Sequence, residues 1–477
     1  MQQIKFGTSG WRGVIADTFT FTNVRVVAQA IGEYLSSEGL GTKGVVVGYD
    51  TRFLSEAFAH QVAKILTANG IHTLLCTGET PTPAISYGII RRGAGGGVNI
   101  TASHNPPEYN GLKFSSDNGG PALPEITFRI ELRAEELLAS SGLKDLKEVK
   151  IQEAEEKGML EKVDLKETYL KRLEEIVDFE VIRSSGLKVV VDCLYGTSRG
   201  YLGETLSKAG CRVQTLHDWR DPYFGNAAPE PSEGNLKEMI FNVMETGSHL
   251  GLATDGDADR FGIVDADGTF IAPNYILALL LKHLVVTRKW KGAVARSVAT
   301  THLIDLVAEK YGVPVIETPV GFKYIGDLIA QDLLILGGEE SAGLSIKGHV
   351  PEKDGILACL LVAEMVTRAN KARLRYLLQD LFSEVGACIL TRRVNLHLEQ
   401  QILERFLDKL RWPPPVFGEQ KVVDAKELDG MKLLLDDGSW VLFRVSGTEP
   451  VVRLYVEARD DSQLNHLVAA AKHFIYS

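Results

Sequence analysis

The chain has 477 residues, room for several domains at about 100–200 residues each. Hydrophobic residues make up 45% and charged residues 24%, a mix that excludes a disordered or fibrous protein. Asp and Glu number 62 against 52 Lys and Arg; the net charge of -10 argues against nucleic acid and anionic membranes and, at first sight, against a phosphorylated substrate.

The start, Met1–Gly7, has no apolar stretch of the secretory kind, so the expected location is cytoplasmic. Val45–Asp50 reads as a β-branched strand ending in a polar turn, Glu56–Ala68 as a helix closed by Gly70, and Ile71–Cys76 as a second strand. The charged stretch Glu153–Asp178 reads as helix and linker. The same grammar returns in Val189–Asp192, Tyr201–Ala209 and Cys211–Leu216. It returns again in Ala293–Ser297, His302–Tyr311 and Val313–Glu317. Between these units the apolar run Tyr275–Val286, broken by Lys282 and His283, is too short for a bilayer and reads as a buried helix. Strand–helix–strand three times over is the mark of parallel α/β domains.

After Arg392 the pattern changes. A helix over Glu399–Arg411 leads to three prolines, then a hairpin of Ser439–Arg444 and Val451–Ala458, then a helix from Ser462. The expected fold is α/β: three related mixed α/β domains (1–165, 166–268, 269–388) plus a C-terminal α+β domain (389–477) around a central cleft. The five cysteines are scattered, odd in number and form no CxxC pair, so they are expected to be reduced core thiols with no zinc site.

Each α/β unit carries a polar loop after its third strand, where ligands gather in parallel sheets. In Asp255-Gly256-Asp257-Ala258-Asp259-Arg260, alternate positions place three carboxylates on one side of an extended loop, convergent on a hard cation. EF-hand spacing fails, since Arg260 and Ala266 fall where Gly and Glu are needed. Three Asp ligands with open positions suit Mg²⁺ completed by phosphate and water. Thr101-Ala102-Ser103-His104-Asn105-Pro106 offers a serine to a neighbouring metal as a phosphoryl acceptor, with Lys113 following; a self-capped structural turn explains the same residues. Arg444-Val445-Ser446-Gly447-Thr448-Glu449-Pro450 offers a guanidinium, hydroxyls and backbone N–H groups to a phosphate, or else an ordinary turn with Arg444 in a surface ion pair. Arg453 faces either that site or solvent. Glu339 and Ser341, in Gly338–Gly343, suit sugar hydroxyls. Lys323 reads as a ligand contact or a surface lysine, and Arg12 as a phosphate contact or part of a domain-closing turn. His349 and Lys353 read as loop surface.

Together, in this order and over Gly7–Ala458, these motifs resemble the α-D-phosphohexomutase family, the phosphoglucomutases and phosphomannomutases. The resemblance implies that Ser103 is a phosphoserine and, with Asp255, Asp257 and Asp259, a ligand of Mg²⁺. It implies that Arg260 stands at the active site and that His104 and Lys113 serve proton transfer. Glu339 and Ser341 match the sugar loop; Arg444, Ser446, Gly447 and Thr448 match the loop that grips the non-reacting phosphate. The implied reaction interconverts hexose 1- and 6-phosphates through a glucose 1,6-bisphosphate that reorients in the cleft. Gly343, where glucosamine and some mannose enzymes carry His, favours glucose. A bisphosphate synthase, a phosphomannomutase and a non-catalytic phosphosugar sensor remain as alternatives. A dehalogenase-type enzyme with Asp255 as nucleophile is disfavoured by Asp259, where Thr or Val is preferred.

Overall fold

A computed structural model describes residues 4–7, 10–140, 146–369, 373–445 and 451–477. Four sheets follow one another along the chain, and the first three share a four-strand core. In chain order these cores are Val45–Tyr49, Thr73–Cys76, Gly96–Ile100 and Tyr109–Ser116; then Lys188–Asp192, Arg212–Leu216, Leu250–Thr254 and Phe261–Asp265; then Ala293–Ser297, Val315–Thr318, Leu334–Glu339 and Gly343–Ile346. In each, the first strand lies between the second and third and parallel to both, while the fourth runs antiparallel beside the third. The helices Ser55–Ala68, Leu202–Lys208 and Leu303–Tyr311 join the first strand of each core to the second. The polar loops are therefore the reversals between third and fourth strands, which places one at the same point of each sheet.

Two elements depart from the sequence pattern. Leu160–Val163, inside the stretch expected to be helical, is a strand paired parallel to Thr73–Cys76. Leu160 and Val163 are buried and Glu161 and Lys162 exposed, a spacing that serves a helical turn as well as it serves a short edge strand. The C-terminal unit holds more than the expected hairpin. It is a six-stranded antiparallel sheet in which Leu390–His397, Val451–Ala458, Trp440–Val445, Met431–Leu435, Gln420–Lys426 and Val416–Phe417 are successive neighbours. Helices Gln400–Leu410 and Asp461–Tyr476 share an apolar core with it through Phe406, Leu464 and Leu467.

The second and third sheets share one core, which runs from Tyr169 and Val191 through Leu277 to Leu360 and Ile389. Its axis is the helix Gly355–Arg368, buried from Gly355 to Val366 and apolar there except for Glu364, which meets His283 and Arg288. Asp354 caps it by accepting from the Leu357 N–H at 2.8 Å, and the same carboxylate takes the Tyr169 hydroxyl at 2.8 Å. The run Tyr275–Val286 lies in the helix Pro273–Arg288 of this shared core, as expected. The first and fourth sheets have cores of their own. The fourth docks on the third through Trp440, Leu442 and Tyr455 against Val298 and Ala299. Among the described residues no helix is long and apolar enough to cross a membrane. Cys76, Cys193, Cys211 and Cys359 are buried; Cys388 is exposed, against expectation, because it lies between the end of helix Leu374–Val385 and strand Leu390–His397.

Candidate active site

The loop after Gly96–Ile100 turns abruptly at Ser103, whose φ of 52° is left-handed backbone that residues other than glycine seldom adopt. The turn is held locally by the Ser103 N–H, which donates to Thr101 Oγ1 at 2.9 Å. Its effect is to break strand alternation. Ser103 Oγ donates to Asp255 Oδ2 at 2.7 Å, and His104 Nδ1 stands 3.4 Å from the same hydroxyl oxygen. Burial, and then the charges of Arg260 and Arg12, hold the His104 imidazolium well below the usual range, so the ring is neutral. Gly256 lets the two loops meet: a Cβ there would stand 2.7 Å from the Ser103 carbonyl oxygen.

Asp255, Asp257 and Asp259 are all buried, and each brings a carboxylate oxygen within 4.8 Å of the others. Asp255 Oδ1 accepts from the N–H groups of Asp259 at 2.9 Å and Arg260 at 3.0 Å, which leaves Oδ2 for Ser103. Lys113 Nζ lies between Asp257 Oδ2 at 2.6 Å and Asp259 Oδ2 at 2.7 Å, and Lys353 Nζ reaches Asp259 Oδ2 at 3.0 Å. The second oxygens, Asp257 Oδ1 and Asp259 Oδ1, are buried without a hydrogen-bond partner. Orphaned buried carboxylate oxygens cost on the order of 1–3 kcal/mol or more each unless a cation meets them. Burial, and then the charges of Asp257 and Asp259, push Asp255 well above the ordinary carboxylate range. Burial alone would raise Asp259 too, but Lys113, Lys353 and Arg260 outweigh it and hold it low. All-oxygen donors, two free oxygens and a nearby hydroxyl fit a hard divalent cation.

A cavity of about 180 Å³ opens above this floor. The first unit contributes Arg12, Ser103 and His104, and the second contributes Glu230, Asp259 and Arg260. The third contributes Glu339, Glu340, Ser341 and Lys353, and the fourth contributes Arg393, Arg444, Arg453 and Tyr455. Six cationic side chains thus line it against four carboxylates, a local excess of positive charge in a chain that is acidic overall. Arg12 donates to Asn105 Oδ1 at 2.6 Å, and burial followed by Arg260 lowers it to about 10. Glu339 accepts from the Gly321 N–H at 2.7 Å; burial, and then Glu340, push its carboxyl up to about 7. Arg444 combines the two expected readings, since it lines the cavity while its Nε donates to Asp429 Oδ2 at 2.9 Å.

Several expectations change. Lys353 is 5% exposed and His349 8%, so neither is loop surface. Asp259 draws Lys353 inward, and Asp354 takes His349 Nε2 at 2.7 Å. Gly343 makes room for Lys353, because a Cβ there would meet the lysine Cδ at 2.2 Å. Lys323 is half-buried and lies apart from the described residues that line the cavity; its helix-mate Phe322 and Gly321 take that place. Arg453 faces the site. Ser446, Gly447 and Thr448 lie outside the described residues. Arg393, Glu230 and Thr82, whose hydroxyl donates to Asp257, gave no sequence signal, since each acts only through partners far along the chain.

Three α/β units and an antiparallel unit together line a basic cleft, with an acidic triad and a buried serine at its floor, an arrangement suited to a small anionic substrate. Comparison with known proteins agrees. The four domain models described as phosphoglucomutase/phosphomannomutase domains match in order: domain I over residues 3–140, II over 167–268, III over 272–385 and the C-terminal domain over 414–473. The chain belongs to the phosphoglucomutase/phosphomannomutase family, the α-D-phosphohexomutases, and is an intramolecular phosphotransferase. It is 32% identical over 461 residues to a phosphoglucomutase/phosphomannomutase of Thermococcus kodakarensis, covering 96% of this chain and 95% of that one. It is 33% identical over 466 residues to a protein of Methanothermobacter thermautotrophicus named as a phosphoglucosamine mutase, covering 97% and 95%, and 30% identical over 491 residues to a phosphoglucomutase of Komagataeibacter xylinus, covering 96% and 88%. A Thermus thermophilus structure, provisionally assigned as a phosphomannomutase, superposes with a TM-score of 0.85 at 32% identity over the whole of both chains.

Proposed function

We propose that the protein interconverts glucose 1-phosphate and glucose 6-phosphate through a phosphorylated Ser103 and a glucose 1,6-bisphosphate intermediate, as a cytoplasmic enzyme whose domains divide at 165, 268 and 388. The observation that carries this is the 2.7 Å contact of Ser103 Oγ with Asp255 Oδ2, in a cleft that three arginines of the fourth unit also line. Mg²⁺ held by Asp255, Asp257, Asp259 and Ser103 would neutralise the charge that develops on the transferring phosphoryl group. In the forward step the bond from phosphorus to Ser103 Oγ breaks and one to the free hexose hydroxyl forms. The hydroxyl loses a proton and Oγ gains one. His104, 3.4 Å from Oγ, is assigned with Lys113 to take up the proton that the hydroxyl loses and to return one to Oγ. Lys113, whose Nζ meets Asp257 Oδ2 at 2.6 Å and Asp259 Oδ2 at 2.7 Å, is assigned to proton transfer together with His104. Arg444, with Arg393 and Arg453, grips the phosphate that is not reacting, and the loop 446–448 is assigned to the same task. Glu339 and Ser341 hold sugar hydroxyls, and Arg12 and Arg260 steady the reacting end.

An activity panel of glucose 1-phosphate, mannose 1-phosphate and glucosamine 1-phosphate, with Mg²⁺ and a trace of bisphosphate, tests this reading. Glucose 6-phosphate should form fastest. Faster turnover of either other sugar would reassign the substrate, and release of bisphosphate as the main product would make the protein a synthase.

Two substitutions probe the walls. Arg444→Ala should raise KM for glucose 1-phosphate by about 10–100-fold, the loss of a charge-assisted phosphate contact, with Mg²⁺ affinity unchanged by calorimetry. Glu339 gains its charge as the pH rises through about 7, and the carboxylate is the stronger acceptor for sugar hydroxyls. The kcat/KM of the wild type should therefore climb through that range. Glu339→Gln should be slower and should lose that limb, keeping only the ionisation of the substrate phosphate.

A further inference from the structure

Beneath the Ser103 loop lies a residue that the proposed chemistry does not use. Arg52, which follows the strand Val45–Tyr49, is fully buried. Its Nη1 donates to the carbonyl oxygens of Pro106 at 2.8 Å and Tyr109 at 3.0 Å. Its Nη2 donates to those of Ser103 at 2.7 Å and Asn105 at 2.6 Å. One guanidinium thus collects four backbone carbonyls from residues 103–109, the segment that carries the acceptor serine. A counter-charge stands beside the fork. Nε lies 3.2 Å from Asp50 Oδ2 as an ion pair without hydrogen-bond geometry, and Asp50 Oδ1 accepts from the Arg52 N–H at 2.9 Å and from Ser55 Oγ at 2.7 Å. On the other side the ring of Phe224, from the unit that bears the acidic triad, lies 4.9 Å from Arg52 Cζ.

Four inward carbonyls would repel one another in a buried loop that lacked this cation. Ser103 also needs its left-handed backbone, which puts its carbonyl on Arg52 while its hydroxyl points to Asp255. We propose that Arg52 is a positioning residue for the phosphoryl-acceptor loop, holding Ser103 Oγ in line with the acidic triad without touching substrate itself. Its stacking on Phe224 ties that loop geometry to the seating of the first unit on the second. A lysine has one nitrogen and no planar fork, so it can keep the pair with Asp50 but cannot reproduce the four bonds. The inference rests on the reading of Ser103 as the phosphorylated residue.

The test uses the full chain with Mg²⁺ and compares wild type, Arg52→Ala and Arg52→Lys. The readouts are phosphate gain on Ser103 from glucose 1,6-bisphosphate by intact mass, kcat and KM for glucose 1-phosphate, and thermal unfolding. Misplacing a nucleophile by about 1 Å costs about a hundredfold, so both variants should lose about that much in kcat with KM changed by less than about threefold. Methylguanidinium should restore at least about tenfold to Arg52→Ala, an effect that a purely structural loss would not show. If Arg52→Ala does not fold, Arg52→Lys decides the matter through the same kcat and KM. Wild-type kcat in the folded variants, or a rise in KM with kcat kept, would overturn the proposal. A wild type that takes no phosphate on Ser103 would instead sink the functional reading beneath it.

Discussion

Ser103→Ala is expected to lower kcat by about 10⁴-fold or more, as loss of an attacking group does when the rest of a site stays in place. The protein should gain no covalent phosphate on incubation with glucose 1,6-bisphosphate. The fold should persist, because alanine keeps the backbone and forfeits only the Oγ contacts to Asp255 and His104. Binding of glucose 1-phosphate should also persist, since the arginines that the fourth unit contributes to the cleft are untouched. Intact mass and calorimetry on the same preparation read both outcomes. A variant that still takes up phosphate would mean another nucleophile. Acid-labile phosphate would point to a carboxylate.

Asp255→Asn should act on stability and activity in opposite directions. The folded Asp255 carboxyl is raised by burial and by Asp257 and Asp259, so the native state binds its proton more tightly than the unfolded chain does. As the pH rises above the unfolded value of about 3.9, ionising Asp255 therefore costs stability, and the cost grows until the raised folded value is passed. Asparagine removes that cost. Its amide oxygen still accepts from the N–H groups that now meet Asp255 Oδ1. In EDTA at neutral pH the variant should melt higher than wild type, by about 1 °C for each kilocalorie gained in a chain of this size. With Mg²⁺ the order should reverse, because the cation stabilises only the chain that binds it well. Activity should fall by about 10³-fold. A lower melting point in EDTA would contradict the electrostatic reading of the triad.

The site was legible where its chemistry is contiguous in the chain. Three aspartates at alternate positions of one loop announce themselves, and the strand–helix–strand grammar recurs because each unit solves the same packing problem. What stayed hidden depends on contacts between distant segments. Lys353 sits in a polar turn and reads as surface until Asp259 draws it in. Arg52 follows a strand and reads as turn polarity until four carbonyls converge on it. Arg453 lies on a strand where either face was open to the reading, and its register opposite Arg444 puts the two on one face, with Arg453 lining the cavity. The strand Gln420–Lys426 carries mostly exposed residues and lacks the apolar alternation that marks a strand, while in Leu390–His397 the alternation of Val394 and Leu396 is interrupted by Arg392. The net charge misled at first because it sums the whole surface. The cleft concentrates cations, while acidity elsewhere keeps polyanions away.

The most direct measurement is a single-turnover chase. Enzyme labelled on Ser103 with radioactive phosphate is mixed with excess unlabelled glucose 1-phosphate and Mg²⁺, and the label is followed at short times. We predict that the label leaves Ser103 at or above the steady-state turnover rate and appears in glucose 1,6-bisphosphate and glucose 6-phosphate. Label that stays on the protein while glucose 6-phosphate accumulates, or that appears as inorganic phosphate, would contradict a phosphoserine on the reaction path.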